Sequence, residues 1–132
     1  MKSKELFPYI SHKGILMPFV PIRLVRNNLL LDTKALVDTG AVVNVVPYQS
    51  GLALGGIWND KLAKLSLGGA LAGHSSCPFF LYATVGSFQP IKMGCAWADT
   101  DDIPVILGNV NFFDEFDVCF YRKDKFFELI QH

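Results

Sequence analysis

Residues 35–47, Ala35-Leu36-Val37-Asp38-Thr39-Gly40-Ala41-Val42-Val43-Asn44-Val45-Val46-Pro47, set one carboxylate in the middle of an apolar run. An acidic side chain in such surroundings is costly to bury unless it is hydrogen-bonded or shares a proton, so Asp38 is a candidate functional residue. Two other Asp-Thr pairs in the chain act as internal controls. Asp32-Thr33 is followed by Lys34 among polar strand neighbours, and Asp99-Thr100 opens an acidic turn, Asp99 to Asp102, expected to be solvated. Of the three pairs, Asp38-Thr39 is the one followed by Gly and flanked by apolar residues on both sides.

Strand signals surround this stretch. Phe19 to Arg26 (FVPIRLVR) reads as extended, Asn27-Asn28 breaks it, and Leu29 to Asp38 resumes it, which predicts a hairpin. Val42 to Val46 predicts a short strand closed by Pro47, and Tyr48 to Leu54 a short helix stopped by Gly55-Gly56. Lys61 to Leu67 and His74 to Val85 flank the run Gly68-Gly69-Ala70-Leu71-Ala72-Gly73, which predicts two extended arms and a mobile, glycine-rich tip. His74 and Cys77 are expected to alternate along the second arm rather than to form a ligand pair. Gln89 to Ala98 and Pro104 to Leu107 read as strands, the second ending at Gly108. Asn109 is expected to cap a helix running through Phe116, and the tail forms a final hairpin around Arg122 to Lys125. Strands spaced about ten residues apart with little helix predict an all-β fold, a small barrel or sandwich. No linker or repeat divides the chain, so residues 1–132 are expected to form one domain, with 1–14 as an N-terminal extension.

The Asp38 stretch resembles the active-site turn of the retropepsin-like aspartic proteases, which carry two apolar residues, Asp, Thr or Ser, Gly and Ala. That family has a second signature, two bulky apolar residues and a Gly, about seventy residues downstream; here Ile106-Leu107-Gly108 stands in its place, followed by a segment, NVNFFDEFDVCFY, similar to the ending of bacterial members. The glycine-rich run at 68–73 falls where the family has its flap. The resemblance spans residues 15 to 130 and implies a small closed barrel with one short C-terminal helix and a glycine-rich flap hairpin.

It also implies a chemistry. Peptide hydrolysis by this route uses one ionised carboxylate to take a proton from water and one neutral carboxyl to polarise the carbonyl; two carboxyls in contact share a single proton. No second Asp in the chain has an Asp-Thr-Gly context, so the second carboxylate is expected from Asp38 of another copy in a homodimer. The resemblance assigns Asp38, Thr39 and Gly40 as catalytic: Asp38 as base and, on the other copy, acid, Thr39 tying the two turns together through its hydroxyl, Gly40 making room for substrate. It implies a peptide or protein substrate bound by Ala41, by Gly68, Gly69, Ala70 and Leu71 of the flap, and by Ile106, Leu107 and Gly108. Two positions depart from the retroviral pattern: Val42 and Asn109 stand where a pairing Asp and Arg are usual, so both charges are absent together. That departure motivates an alternative, a catalytically silent peptide-binding or assembly module on the same fold.

Composition narrows the remaining classes. The chain has 132 residues, net charge zero, 51% hydrophobic and 18% charged residues, which excludes a disordered chain and lacks the basic excess of a nucleic-acid-binding domain. Residues 65 to 91 hold no charged residue, but their four Gly, four Ser and two Pro argue against a membrane-spanning helix. Three Cys (77, 95 and 119) without a CxxC pair predict reduced thiols and a cytoplasmic location, and no metal or other cofactor is implied. Phe112, Phe113, Phe116, Phe120, Phe126 and Phe127 are expected in core and interface packing. Residues 1–34 carry six basic and two acidic groups and residues 99–117 six acidic and no basic ones, stretches that either face each other, within the fold or across a dimer, or stay solvated.

Overall fold

The structure, a computed structural model, describes residues 3–63 and 65–132, without the side chains of 65, 66 and 70. Its elements in chain order are β1 (Ser3–Pro8), β2 (Ile10–His12), β3 (Ile15–Met17), β4 (Phe19–Arg26), β5 (Leu29–Val37), β6 (Asn44–Val46), α1 (Tyr48–Ala53), β7 (Leu65–Ser66), β8 (Ser75–Val85), β9 (Ile91–Ala98), β10 (Val105–Leu107), α2 (Phe112–Glu115), β11 (Phe116–Tyr121) and β12 (Phe126–Gln131). Six strands close into a barrel in the order β4-β5-β10-β6-β9-β8, with β8 pairing back onto β4 through Ile22↔Val85 to Val25↔Tyr82. Each of these strands has a neighbour on both sides, β5 meeting β10 at Ala35–Val37, and β7 is appended to the far end of β8.

The barrel follows from alternation. β8 buries Cys77, Phe79, Leu81, Ala83 and Val85, while Phe80 and Tyr82 face outward. β4 buries Val20, Ile22 and Leu24 on the same principle. β10 differs: it lies between β5 and β6 and is buried throughout, so Val105, Ile106 and Leu107 are all apolar. Ile106 packs with Val45 and Ala98 on one side, and Leu107 enters the main core on the other.

Two features depart from the sequence reading, and a third gains contacts that it did not announce. The helix expected from Asn109 shrinks to Phe112–Glu115, with Asn111 at its N-cap making no side-chain cap. Asn109 is occupied elsewhere: its Nδ2 donates to the carbonyls of Thr39 (3.0 Å) and Ala41 (2.8 Å). The first flap arm is strand only at Leu65–Ser66, because Leu62 and Ala63 donate back to Asn59 and form a turn; position 64 lies outside the described residues. The acidic turn is exposed yet tied down, since Asp101 accepts from the Gln49 N–H at 2.8 Å and Thr100 is buried.

The N-terminal stretch from Ser3 is woven into the rest. β1 pairs with β12 from Ser3↔Gln131 to Pro8↔Phe126, and β12 pairs with β11, giving a three-stranded sheet. Phe7 stacks on Phe127 with ring centroids 5.7 Å apart, and Glu5 accepts from the Ser87 N–H and hydroxyl. Of the phenylalanines expected in packing, Phe112, Phe116 and Phe127 are core residues. The basic and acidic stretches form no ion pair with each other among the described residues; Arg23 pairs instead with Asp32 across the β4–β5 hairpin.

Candidate active site

Asp38 sits where β5 leaves the barrel. Its N–H donates to the Leu107 carbonyl of the parallel neighbour β10 (3.0 Å), continuing the β5–β10 pairing by one residue. The chain then turns sharply: the Ala41 N–H donates to the Asp38 carbonyl at 3.1 Å, and the Gly40 N–H donates to Asp38 Oδ1 at 3.0 Å. The carboxylate is therefore oriented by its own turn, half-buried at the floor of a cleft of about 300 Å³. That cleft is bounded by Asp38, Gly40, Ala41 and Ile106 below and by Gly68, Gly69 and Leu71 of the glycine-rich loop opposite, the stretch expected from the sequence to be a flap. Asp38 is the one acidic residue lining it among the described residues.

A second layer holds this floor in place. Residues 108–110 run alongside the turn: Asn109 N–H donates to Ala41 O, Val110 N–H to Val42 O, and Asn44 N–H to Val110 O, at 2.8 to 3.0 Å. Gly108 is obligatory at this crossing, because a Cβ there would overlap the Val43 carbonyl and approach the Ala41 oxygen to 2.9 Å. Asn44, fully buried, accepts from the Gly108 N–H (2.9 Å) and donates to the Gly94 carbonyl and to Asn111 Oδ1 (both 3.1 Å). Asn111 in turn accepts from the Gly94 N–H and donates to the Lys92 carbonyl. Every polar atom of the Asn44 amide is thus satisfied in a dry setting, which makes the arrangement rigid.

The glycine-rich loop has fewer side-chain cross-links, with Leu67 and Leu71 packed against Val45, Ala98 and Ile106. Leu67 N–H donates to His74 O, and a single 3₁₀ turn at Gly69–Leu71 forms the tip, closed by Ala72 N–H to Gly69 O. Gly69 and Gly73 take positive φ, +61° and +90°, a region costly for residues with a Cβ. The base is anchored by Asp99, whose carboxylate accepts from His74 Nδ1 (2.8 Å), the Ser75 N–H (3.1 Å) and the Ser75 hydroxyl (3.3 Å). Burial pushes the Asp99 pKa up, but the Ser75 and His74 interactions outweigh it and hold the carboxyl below its ordinary value.

No family model matches the sequence, and no curated protein does. Solved structures do. A retropepsin-like aspartic protease from Rickettsia conorii is similar over 97% of this chain and 98% of that one, with a TM-score of 0.67 at 17% identity. The chain has the retropepsin fold. The EIAV protease, complexed with the inhibitor HBY-793, is similar over 80% of this chain and 93% of its own, with a TM-score of 0.50 at 21% identity.

The retropepsin fold brings most of the residues singled out in the sequence to one cleft. Asp38, Gly40, Ala41, Gly68, Gly69, Leu71 and Ile106 line it. Thr39 is exposed beside the cleft, with its carbonyl taken by Asn109. Leu107 does not reach the cleft, since strand alternation turns it into the core, and Gly108 supports the turn from behind. Ala70 belongs to the flap tip, but its side chain lies outside what the structure describes. Sequence reasoning missed Asn44 and Asp99. Asn44 had a signal, an amide inside Val42-Val43-Asn44-Val45-Val46 that has to find buried partners. Asp99 had none, because its partner His74 is 25 residues away. Among the described residues no group of three His, Cys, Asp or Glu is placed to hold a metal ion, and no helix is long and apolar enough to cross a membrane.

Proposed function

We propose that the protein is an aspartic endopeptidase whose active unit is a homodimer, with Asp38 of each copy supplying one carboxyl of the catalytic pair. The observation that carries this reading is a lone carboxylate, Asp38, held by its own turn at the floor of an apolar cleft beneath a glycine-rich loop. One such residue per chain is half of what the reaction needs, and two-fold symmetry brings the same residue to the axis twice. The ionised Asp38 takes a proton from a water molecule as its oxygen attacks the peptide carbonyl carbon. The neutral Asp38 of the second copy gives its proton to the carbonyl oxygen. Collapse of the resulting gem-diol breaks the C–N bond: the proton held by the first carboxyl passes to the leaving amine, and one gem-diol hydroxyl returns its proton to the second carboxyl. Closure of the flap excludes water and strengthens these interactions. Thr39, exposed beside Asp38, is available to join the two turns. The substrate is an extended peptide held between flap and floor as an added strand. The three free thiols fit a reducing cytoplasm.

A second reading, a binding or assembly module without turnover, is favoured by Val42, which is 73% exposed where a charge would pair with Asn109's position. Cleavage of a diverse peptide library by wild type and Asp38→Asn, from about pH 4 to 7, separates the two. Turnover by wild type, lost by more than about a thousandfold in the variant with its fold intact, is the expected result. A folded wild-type dimer that cleaves nothing, or an Asp38→Asn variant of equal activity, sinks the protease.

A further inference from the structure

The β2–β3 hairpin and the β11–β12 turn together make one end of the molecule basic, exposed and tipped with apolar side chains. Lys13-Gly14 is a two-residue loop between His12 and Ile15, with φ of 53° and 81°, the signs of a type I′ turn that gives a stiff, projecting tip. Ile15, next to that loop, is 61% exposed, and Leu16 is exposed beside it. Residues 122–125 stand alongside. Arg122 Nη1 donates to the Leu16 carbonyl (3.0 Å), its guanidinium lies 5.1 Å from the Tyr9 ring centre, and the Tyr9 N–H donates to the Lys125 carbonyl (2.9 Å). Lys13, Arg122, Lys123 and Lys125 are thus gathered on one surface, all of them exposed, and Asp124 is the one acid in the two turns. The chain as a whole is neutral, so this concentration of charge is local.

The residue types at the two tips carry the argument further. Among the described residues three that are not glycine take a positive φ: Asn27 at the β4–β5 tip, Lys13 and Lys125. Asparagine is the ordinary choice in that region, because its short polar side chain bonds locally to the backbone; lysine has no such means. Both turns therefore hold a lysine where glycine or asparagine costs less, which keeps a charge at the tip at the expense of local strain. None of the four cations forms an ion pair among the described residues, so the charge faces water unneutralised.

We propose that this end is a docking surface for a bilayer of anionic phospholipid, on which the protein rests without spanning it. Unpaired cations on two adjoining tips are complementary to a plane of phosphates, and each basic side chain near such a plane adds about fivefold in affinity. Ile15 and Leu16, exposed beside those cations, enter the boundary between headgroups and acyl chains, where an apolar side chain leaves water and a lysine next to it keeps its charge at the surface. A projecting hairpin tip offers a partner protein no concavity, whereas a soft, flat lipid surface closes around it. The proposal stands apart from the function proposed above, because none of these residues lines the Asp38 cleft.

The test mixes the full chain with vesicles of phosphatidylcholine, alone or with about 30% phosphatidylglycerol, in about 0.1 M salt, and reads the bound fraction by sedimentation. Binding to the anionic vesicles only, weakening as salt is raised, is expected. The triple variant Lys13→Asn, Lys123→Gln, Lys125→Asn should bind about a hundredfold more weakly. Its Tm should equal or exceed that of wild type, since asparagine suits both left-handed positions. Ile15→Ser, with every charge in place, should lose about tenfold. Lys92→Gln, which removes a charge from β9, should bind as wild type does. Equal binding to neutral vesicles, undiminished binding of the triple variant, or no binding at all overturns the proposal. So does self-association in the absence of lipid that the triple variant abolishes, which would make the surface a contact between copies. Asp38→Asn should still bind the vesicles: loss of cleavage leaves the docking surface standing, and loss of docking leaves cleavage in solution unchanged.

Discussion

The floor of the cleft and its flap both depend on glycine, for opposite reasons. At the floor, Gly108 is needed because two chain segments cross too closely for any side chain, with carbonyls of Val43 and Ala41 against it. In the flap, a Cβ at Gly68, Gly69 or Gly73 would meet nothing within 4 Å. What Gly69 and Gly73 supply is a backbone conformation, not space. The floor is cross-linked by the Asn44, Asn109 and Asn111 amides, whereas the loop opposite is held by its own 3₁₀ turn, by the Leu67–His74 backbone pairing, by Leu67 and Leu71 packed against Val45 and Ile106, and by the Asp99 anchor at its base. A dense, cross-linked platform thus carries the carboxylate, and a loop with fewer cross-links lies over it.

Substitutions can break this contrast at the floor first. Gly108→Ala forces the Asp38 turn away from β10 and is expected to cost about 3 kcal/mol, lowering Tm by roughly 10 °C in a thermal melt. Asn44→Ala strips partners from the buried Gly108 N–H, Gly94 carbonyl and Asn111 amide; a loss of about 2 kcal/mol in urea unfolding is expected. If either variant melts like wild type, the floor is not the rigid element described here.

At the flap the effects are smaller and local. Gly73→Ala, at a φ of +90°, is expected to strain the hairpin by about 1 kcal/mol. Hydrogen exchange at the Leu67 and His74 amides should quicken while Tm stays put. Gly68→Ala is the matched control, since φ there is −96° and nothing is near; it should change neither reading. The smallest effect is electrostatic. Because the folded-state pKa of Asp99 is depressed, its contribution is complete above the ordinary carboxyl range and is lost as pH falls through the lower folded value. The stability gap between wild type and Asp99→Asn should therefore be constant from pH 7 to about 4 and close below that, with a total under about 1 kcal/mol. A gap that closes already above pH 5 would mean that the anchor does not hold Asp99 ionised.

Much of this was legible in the chain itself. The β4–β5 hairpin was readable because Phe19 to Arg26 and Leu29 onward are apolar-rich runs broken by two asparagines, and the structure begins and ends β4 where the sequence predicts. The helix after Gly108 was misjudged because Asn109 is a good cap by residue type, yet its amide finds two carbonyls of the Asp38 turn, a segment about seventy residues earlier. The acidic turn is exposed as its composition predicts, but nothing near Asp99 or Asp101 in the chain announces their bonds to His74 and to the start of α1.

By itself the sequence determined the local order: which stretches extend, where the chain must turn, and that Asp38, alone among three Asp-Thr pairs, sits among apolar residues followed by Gly. Those are short-range properties, set by backbone sterics and by the cost of hydrating apolar groups, and they are written within a few residues. Only the tertiary structure decided which side of β10 faces the cleft and what satisfies Asn44. Each of these depends on segments fifteen to seventy residues apart meeting in a closed barrel, and pairings over such distances are fixed by packing and hydrogen-bond satisfaction across the whole fold.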